Sequence, residues 1–395
     1  MMSELRLKQL VSQGKATILY IHGTARSGST IAAVIFAKLA DRAIHQPFSA
    51  LSDKLGGHLR DNKLPFDADI YEAGCSLIVE EIEEILKEKS QVTILVKEVS
   101  RFFHPEIWSK WIQIPEKFLI TIREPHLQYL SGLCSRAEFL YKSNGLLMKN
   151  PALVLEKAQE IESLDLESIK PGFSGTTISF NFELWQNLML DWNMLRSVIA
   201  GSSKKLAVLD SISLRQNPED AIGKTIEQLG FEVDNVEEFA QDLLVQSKEK
   251  FKDIKDPNRP NVRKARNSNE IHRLVPGEAI NPHAFPLKSR EHIWQLIPMY
   301  LDLLYAPENA AMPSWQQLDA PVAGSNSLKL ADIHPFVAYA IAIFQKHQNS
   351  NPEKNSLLDR IVHGQTKTVL GEAKLNSEFF GDSFAVVDAY WKQAN

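Results

Sequence analysis

The sequence predicts an α/β fold, a parallel sheet flanked by helices, and three observations carry that prediction. Apolar, largely β-branched segments stand near residues 17–21, 92–96, 118–122 and 206–210, with helical patterns between them. A glycine-containing loop joins the first of these strands directly to an apolar helix. The chain has 395 residues, 44% of them hydrophobic, enough for a sizeable core, and large α/β folds can occupy most of such a length.

The first strand, Thr17 to Ile21, is followed by Gly23-Thr-Ala-Arg-Ser-Gly-Ser-Thr30 and then by a helix from Ile31 to Ala40. Strand, loop and helix N-terminus make an anion site, because unpaired backbone N–H groups and the helix dipole converge there. The spacing Gly23-x4-Gly28 fits a nucleotide-binding loop, but Ser29 stands where an ATPase or GTPase carries its lysine. A cation sits inside the loop instead, at Arg26. The loop therefore predicts binding of a phosphate-bearing nucleotide without ordinary NTPase chemistry.

The next elements follow in order. Residues 80–89 read as the acidic end of an amphipathic helix, a solvated face. The strand from Val92 to Val96 ends in Lys97 and Glu98, and the strand from Phe118 to Ile122 runs into Arg123. Pro125 suits the first turn of a helix. Ser131 then lies about two turns along it, roughly 9–10 Å from its start. An arginine at a strand end and a serine on the next helix can close on one phosphate from two sides, the arginine as a charge-assisted fork.

Residues 143–180 carry Gly145, Pro151, Pro171, Gly172 and Gly175 around a helical stretch at 152–166, and are expected to form an acceptor-side lid. A late strand, Leu206 to Asp210, precedes an acidic turn from Asn217 and a helix ending in Leu229-Gly-Phe231. Between Lys252 and Arg273 seven Lys or Arg face three acids, in a chain that is otherwise acidic; such a run reads as either a solvated face or a phosphate-binding stretch. The expected organisation is an α/β domain over 1–305, a linker rich in Ala, Pro, Ser and Asn over 306–328, and a helical C-terminal region over 329–395.

Taken together, the loop Gly23, Thr24, Ala25, Arg26, Ser27, Gly28, Ser29, Thr30, the strand-end Lys97, the Arg123-x7-Ser131 spacing and the late strand–turn–helix phrase resemble the sulfotransferases that use 3′-phosphoadenosine 5′-phosphosulfate (PAPS). The resemblance covers about residues 15 to 275 with the order of motifs preserved. It implies a P-loop-like sulfotransferase fold, with the loop on the 5′-phosphosulfate, Arg123 and Ser131 on the 3′-phosphate, and Lys97 at the transferring sulfonate and bridging oxygen. Val262-Arg-Lys-Ala-Arg266 is similar to the family's Arg-Lys-Gly loop, which implies that Arg263 and Lys264 cover the 3′-phosphate, although Ala265 replaces the glycine. Arg26 and Lys97 supply cations for such chemistry, so no metal is expected.

The family's usual proton acceptors are missing. The glutamate of the bacterial members is Gln46 here, and the histidine that follows the strand lysine in the cytosolic branch is Val99. His45 and Glu98 are the nearest ionisable replacements. The alternatives are a P-loop kinase using ATP and Mg²⁺, or a catalytically silent nucleotide-binding interaction protein. The acceptor, a small molecule or peptide, is not readable; Trp108, Trp111, Trp185, Trp192 and Tyr129 either line an aromatic pocket or fill the core.

Bulk properties narrow the class further. Lys and Arg number 44 against 49 Asp and Glu, a net charge of −5 that does not suggest nonspecific binding to nucleic acid or acidic membranes. Cys75 and Cys134 are too few for a disulfide framework or zinc site. No signal-peptide pattern opens the chain, and the longest apolar run, Phe336 to Phe344, is too short to span a bilayer. A cytoplasmic location is the expectation.

Overall fold

In the computed structural model, residues 2–54, 64–98, 105–141, 151–163, 194–233 and 251–253 are described, with isolated positions at 185, 187, 188, 191, 192, 235, 239, 285, 286, 289, 293, 296, 300 and 303. The chain runs through α1 (Met2–Ser12), β1 (Ala16–Gly23), α2 (Ser29–Phe36) with a 3₁₀ turn Ala37–Leu39, β2 (Arg42–His45), α3 (Pro47–Lys54) and α4 (Leu64–Ile85). It continues with β3 (Val92–Lys97), α5 (Pro105–Trp111), β4 (Lys117–Ile122), α6 (Pro125–Tyr141), α7 (Pro151–Glu156) and α8 (Ala158–Ser163). The last described elements are β5 (Lys205–Asp210), α9 (Ser211–Gln216), α10 (Pro218–Gln228) and β6 (Phe251–Asp253).

The strands form one sheet in the order β5-β4-β1-β3-β2-β6, every neighbouring pair parallel. All four strands expected from the sequence are present. Two more were not legible: β2, whose four residues are too short for a periodic signal, and the three-residue edge strand β6, which overlaps the start of the basic stretch. Parallel pairing brings all strand carboxyl ends to one edge of the sheet.

Two compact units are present. The first takes the chain to Ile122, Pro171–Phe173 and Asp191–Arg273, and holds the entire sheet; the second contains the described residues of Arg123–Lys170, Ser174–Leu190 and the chain from Leu274 on. The division falls inside the single domain expected over 1–305.

Alternation along the strands sorts the first unit's core. Leu19 and Ile21 of β1, Ala43 of β2, Leu95 of β3, Leu119 of β4, and Ala207 and Leu209 of β5 all join one buried cluster with Ala32, Val34 and Phe36 of α2 and Ile222 and Ile226 of α10. On the opposite face Tyr20 meets Trp111 edge-on, with ring centroids 5.4 Å apart, and lies 5.6 Å from Trp108. The helix after β1 thus covers one face and the helix after β3 covers the other. Adjacent strands with oppositely directed connections open a crevice at their carboxyl ends, the usual place for a ligand in such sheets.

The five aromatic residues weighed from the sequence are all buried, Trp108, Trp111, Trp185, Trp192 and Tyr129 alike. They fill the interior of their own units. In the second unit Trp185 Nε1 donates to Gln128 Oε1 at 2.7 Å, and the Tyr129 hydroxyl bonds Glu162 and Ser289. The acidic end of α4 is more engaged than a bare solvated face: Glu83 pairs with Arg6 at 2.8 Å and Glu81 with Arg42 at 3.4 Å. Within 143–180, the described residues 151–163 are helical, and the rest of the expected lid lies outside the described residues. So do the linker at 306–328 and the tail at 329–395. Among the described residues no helix is long and apolar enough to cross a membrane.

Gly74 on α4 shows how tightly the far layer is packed. A Cβ there would lie 2.3 Å from Phe48 Cδ1 and 2.5 Å from its Cε1. Because Phe48 is itself buried against Trp111, its ring cannot swing away freely. Gly74→Ala is expected to lower stability by about 1–3 kcal/mol, read as an earlier urea midpoint with an unchanged denaturant slope.

Candidate functional site

The loop between β1 and α2 is built on two left-handed residues. Arg26 has φ 71° and Gly28 has φ 91°. Such alternation of hand turns successive backbone N–H groups toward one side, a concavity suited to an anion. Glycine carries this conformation without cost at 28, whereas an arginine at 26 bears strain of order 1 kcal/mol or more that its surroundings must hold. Ser27 does the holding. Its N–H and Oγ both donate to the Thr24 carbonyl, at 3.2 and 2.8 Å, and its Oγ lies 2.8 Å from Thr121 Oγ1 on β4. With the Ser27 proton given to Thr24, Thr121 is the donor to Ser27. Ser27 was expected to present its N–H and hydroxyl to phosphate; the geometry spends both on the loop itself.

Gly23 is required by the same contact. A Cβ at this position would sit 2.2 Å from Thr121 Oγ1 and 2.7 Å from Ser27 Oγ. Beyond Gly28 the helix begins without a side-chain cap. The Ala32 N–H bonds the Gly28 carbonyl at 3.0 Å, so the N–H groups of Ser29, Thr30 and Ile31 precede the first intrahelical bond and remain available as donors to an anion. Ser29 and Thr24 are buried, and Ala25, Arg26 and Thr30 are half-buried.

Lys97 ends β3 directly beside this loop's strand. It pairs in register with Ile21 of β1 and with His45 of β2, so all three belong to one face of the sheet, the face that carries α2. Lys97 is 2% exposed and His45 is 3% exposed. Both side chains stand at the carboxyl edge where the crevice opens. The sequence expected these residues in the site without seeing that β2 brings His45 level with Lys97.

Glu98 belongs to the other face and has a defined task. Its Oε2 accepts the backbone N–H groups of Phe48, at 3.1 Å, and Ser49, at 3.0 Å, which are orphan donors at the start of α3. A negative charge there also favours the positive end of the helix. The Gln46 N–H donates to the Lys97 carbonyl at 2.6 Å, and the Glu98 N–H to the Ile21 carbonyl at 3.0 Å. Gln46 is bent into the left-handed region, φ 54°, so that the chain can turn from β2 into α3. Glu98 thus anchors the segment that carries His45, with its Oε2 engaged at the start of α3.

Arg123 follows the last residue of β4, and Ser131 falls in the second turn of α6, which begins at Pro125 as expected. Both are half-buried and belong to the second unit. Arg263 and Lys264 lie outside the described residues.

Sequence reading missed a buried chain of polar groups on β1. Tyr20 and His22 share a strand face, and the Tyr20 hydroxyl lies 3.0 Å from His22 Nδ1. His22 Nε2 lies 2.8 Å from Asp191 Oδ2. The His22 ring stacks on Trp108 at 4.5 Å, with 23° between planes. Burial, then the nearby Glu98 and Asp191 carboxylates, push the Tyr20 hydroxyl well above its ordinary value, so it donates. Nδ1 is then the acceptor and Nε2–H donates to Asp191. Burial raises the Asp191 carboxyl and the bond from His22 partly offsets this. A histidine adjoining the glycine-containing β1–α2 loop is a visible signal; its partner 169 residues away is not.

No protein-family model matches the chain, and a search of the curated proteins finds no similar one.

Two outcomes test this geometry. Glu98→Ala should cost on the order of 2–4 kcal/mol, since two buried N–H groups lose their acceptor, while Glu98→Gln, which keeps an acceptor oxygen, should cost less; urea melts of the two variants check the difference. Gly23→Ala should leave the far-ultraviolet circular dichroism intact but weaken adenosine 5′-phosphate tenfold or more in calorimetry, because the loop cannot close against Thr121.

Proposed function

We propose that the protein transfers a sulfuryl group from PAPS to a hydroxyl or amine acceptor. The observation that carries the reading is the arrangement of cations around the loop. A phosphate cradle has Arg26 within it and Ser29 at the lysine position of NTPases, and a buried Lys97 ends the neighbouring strand on the same sheet face. That arrangement supports charge stabilisation by side chains at the point where a leaving phosphate departs. Phosphoryl and sulfuryl transfer both proceed through loose transition states, in which positioning and charge neutralisation supply most of the rate.

In this reading the N–H groups of Ser29, Thr30 and Ile31 and the Arg26 side chain hold the 5′-phosphosulfate. Lys97 meets the bridging oxygen as negative charge grows on it. Arg123 and Ser131, with Arg263 and Lys264, are assigned to the 3′-phosphate on the strength of the sequence resemblance. The acceptor is an unidentified small molecule or peptide, and a cytoplasmic location fits the reading.

Adenosine 3′,5′-bisphosphate is expected to raise the melting temperature without added metal, whereas ATP with Mg²⁺ is not; the reverse pattern would mark a kinase. Arg123→Ala should weaken adenosine 3′,5′-bisphosphate by about tenfold or more, given 1.5–3 kcal/mol for a charge-assisted bond, while adenosine 5′-phosphate binds as before. Equal losses for both ligands in calorimetry would reject the 3′-phosphate assignment. Lys97→Ala should lose turnover far more than cofactor affinity.

A further inference from the structure

The polar chain Tyr20–His22–Asp191 ends in a carboxylate that holds His22 through Oδ2. Tyr20 and His22 are fully buried, and Asp191 keeps 14% of its side chain exposed. Asp191 Oδ2 is held by His22, and Oδ1 makes no hydrogen bond among the described residues. His22 is the residue immediately before Gly23, so its ring is fixed to the strand end from which the phosphate loop departs. Trp108 stacks on that ring and Tyr20 blocks its other nitrogen, so the imidazole can neither rotate nor exchange tautomer without breaking the chain.

We propose that Asp191 is the proton acceptor of the transfer reaction, with His22 and Tyr20 as its positioning residues. This rests on the sulfuryl-transfer reading above. As the acceptor's oxygen or nitrogen forms its bond to sulfur, the bond from sulfur to the 5′-phosphate oxygen breaks. The electron pair of that bond remains on adenosine 3′,5′-bisphosphate, and the acceptor's proton passes to Asp191 Oδ1. The arrangement fits the task for three reasons. The carboxylate is the partly open end of the chain, whereas Glu98 is occupied at α3 and His45 is buried beside a lysine. One contact, from His22 Nε2 to Oδ2 at 2.8 Å, orients the Asp191 carboxylate. Its burial raises its proton affinity toward the working range of a base. The charged and titratable groups acting on the chain from the described elements are His22 and Tyr20 on β1 and Glu98 after β3.

The test has two arms. In the first, the Asp191 carboxyl is titrated by carbon-13 NMR in the full chain, with and without adenosine 3′,5′-bisphosphate, while calorimetry follows that ligand's affinity. Both proteins should bind it, Asp191→Asn the more tightly, and the Asp191 titration should move to higher pH when the anionic ligand is present, because the coupling between proton and ligand is reciprocal. Failure of both proteins to bind would overturn the sulfuryl-transfer reading itself. Binding with an unmoved Asp191 titration would place the carboxylate too far from the leaving phosphate and overturn this proposal alone. In the second arm, release of adenosine 3′,5′-bisphosphate from PAPS is followed against pH with 2-naphthol, with an alkylamine, and with water as the only acceptor. Asp191→Asn should lose a hundredfold or more in turnover together with the acid limb of the profile. His22→Gln, which keeps an N–H donor for Oδ2, should retain more activity than His22→Ala and an unshifted KM for PAPS. An acid limb and turnover unchanged in Asp191→Asn would overturn the assignment.

Discussion

A one-residue slip between β1 and β3 would carry Lys97 from the sheet face that bears the loop to the opposite one. The observed register, Ile21 against Lys97, forbids this because Leu19, Ile21 and Leu95 must enter the same apolar cluster under α2. The placement of the site's cation is therefore enforced by burial of aliphatic side chains far larger in number than the polar groups they position. His45 is fixed by the same rule through Lys97. Everything at the carboxyl edge inherits its face from that alternation.

The crevice edge also concentrates groups that are costly to bury. Lys97, His45, Glu98 and His22 are all almost fully enclosed, and buried polar or charged groups persist only when they are bonded or paired. Glu98 meets this requirement by capping α3, and His22 by bridging Tyr20 and Asp191. Two non-glycine residues in left-handed backbone, Arg26 and Gln46, stand within the same edge. Strain and buried charge are features that a fold tolerates where function requires them. Their coincidence at the ends of β1, β2 and β3 supports the view that this edge is where ligand is handled.

The two faces of the edge then divide the work. Arg26, the N–H groups at the start of α2, and Lys97 lie with the α2 face and suit a group with accumulating negative charge. Glu98 and the His22–Asp191 pair lie with the α5 face. Glu98 braces the start of α3, and Asp191 keeps 14% of its side chain exposed. Such segregation keeps the carboxylates from competing with an anionic ligand for the cations, since charges of opposite sign placed on one face would pair with each other.

Sequence by itself determined the strands that are long and apolar and the loop that follows the first of them. Runs such as Thr17–Ile21 and Phe118–Ile122 admit few alternatives once glycine, proline and charge bound them, and Gly23-x4-Gly28 is local enough to be read from neighbours in the chain. It also placed Lys97 and Arg123 at strand ends and Ser131 in the second turn of a helix, because strand ends and proline-started helices are local signals. What only the tertiary structure decided depends on residues distant in the chain. The four-residue β2 is a strand because β3 supplies its ladder, which is why His45 stands at a strand end beside Lys97. Glu98 became a cap only when α3, some fifty residues earlier, met it. Ser27, expected on phosphate, braces the loop through Thr121, and Asp191 meets His22 across 169 residues. Periodicity and motif spacing record which face a residue takes and which turn it makes; which side chain fills the space opposite is set by packing, and that information is not local.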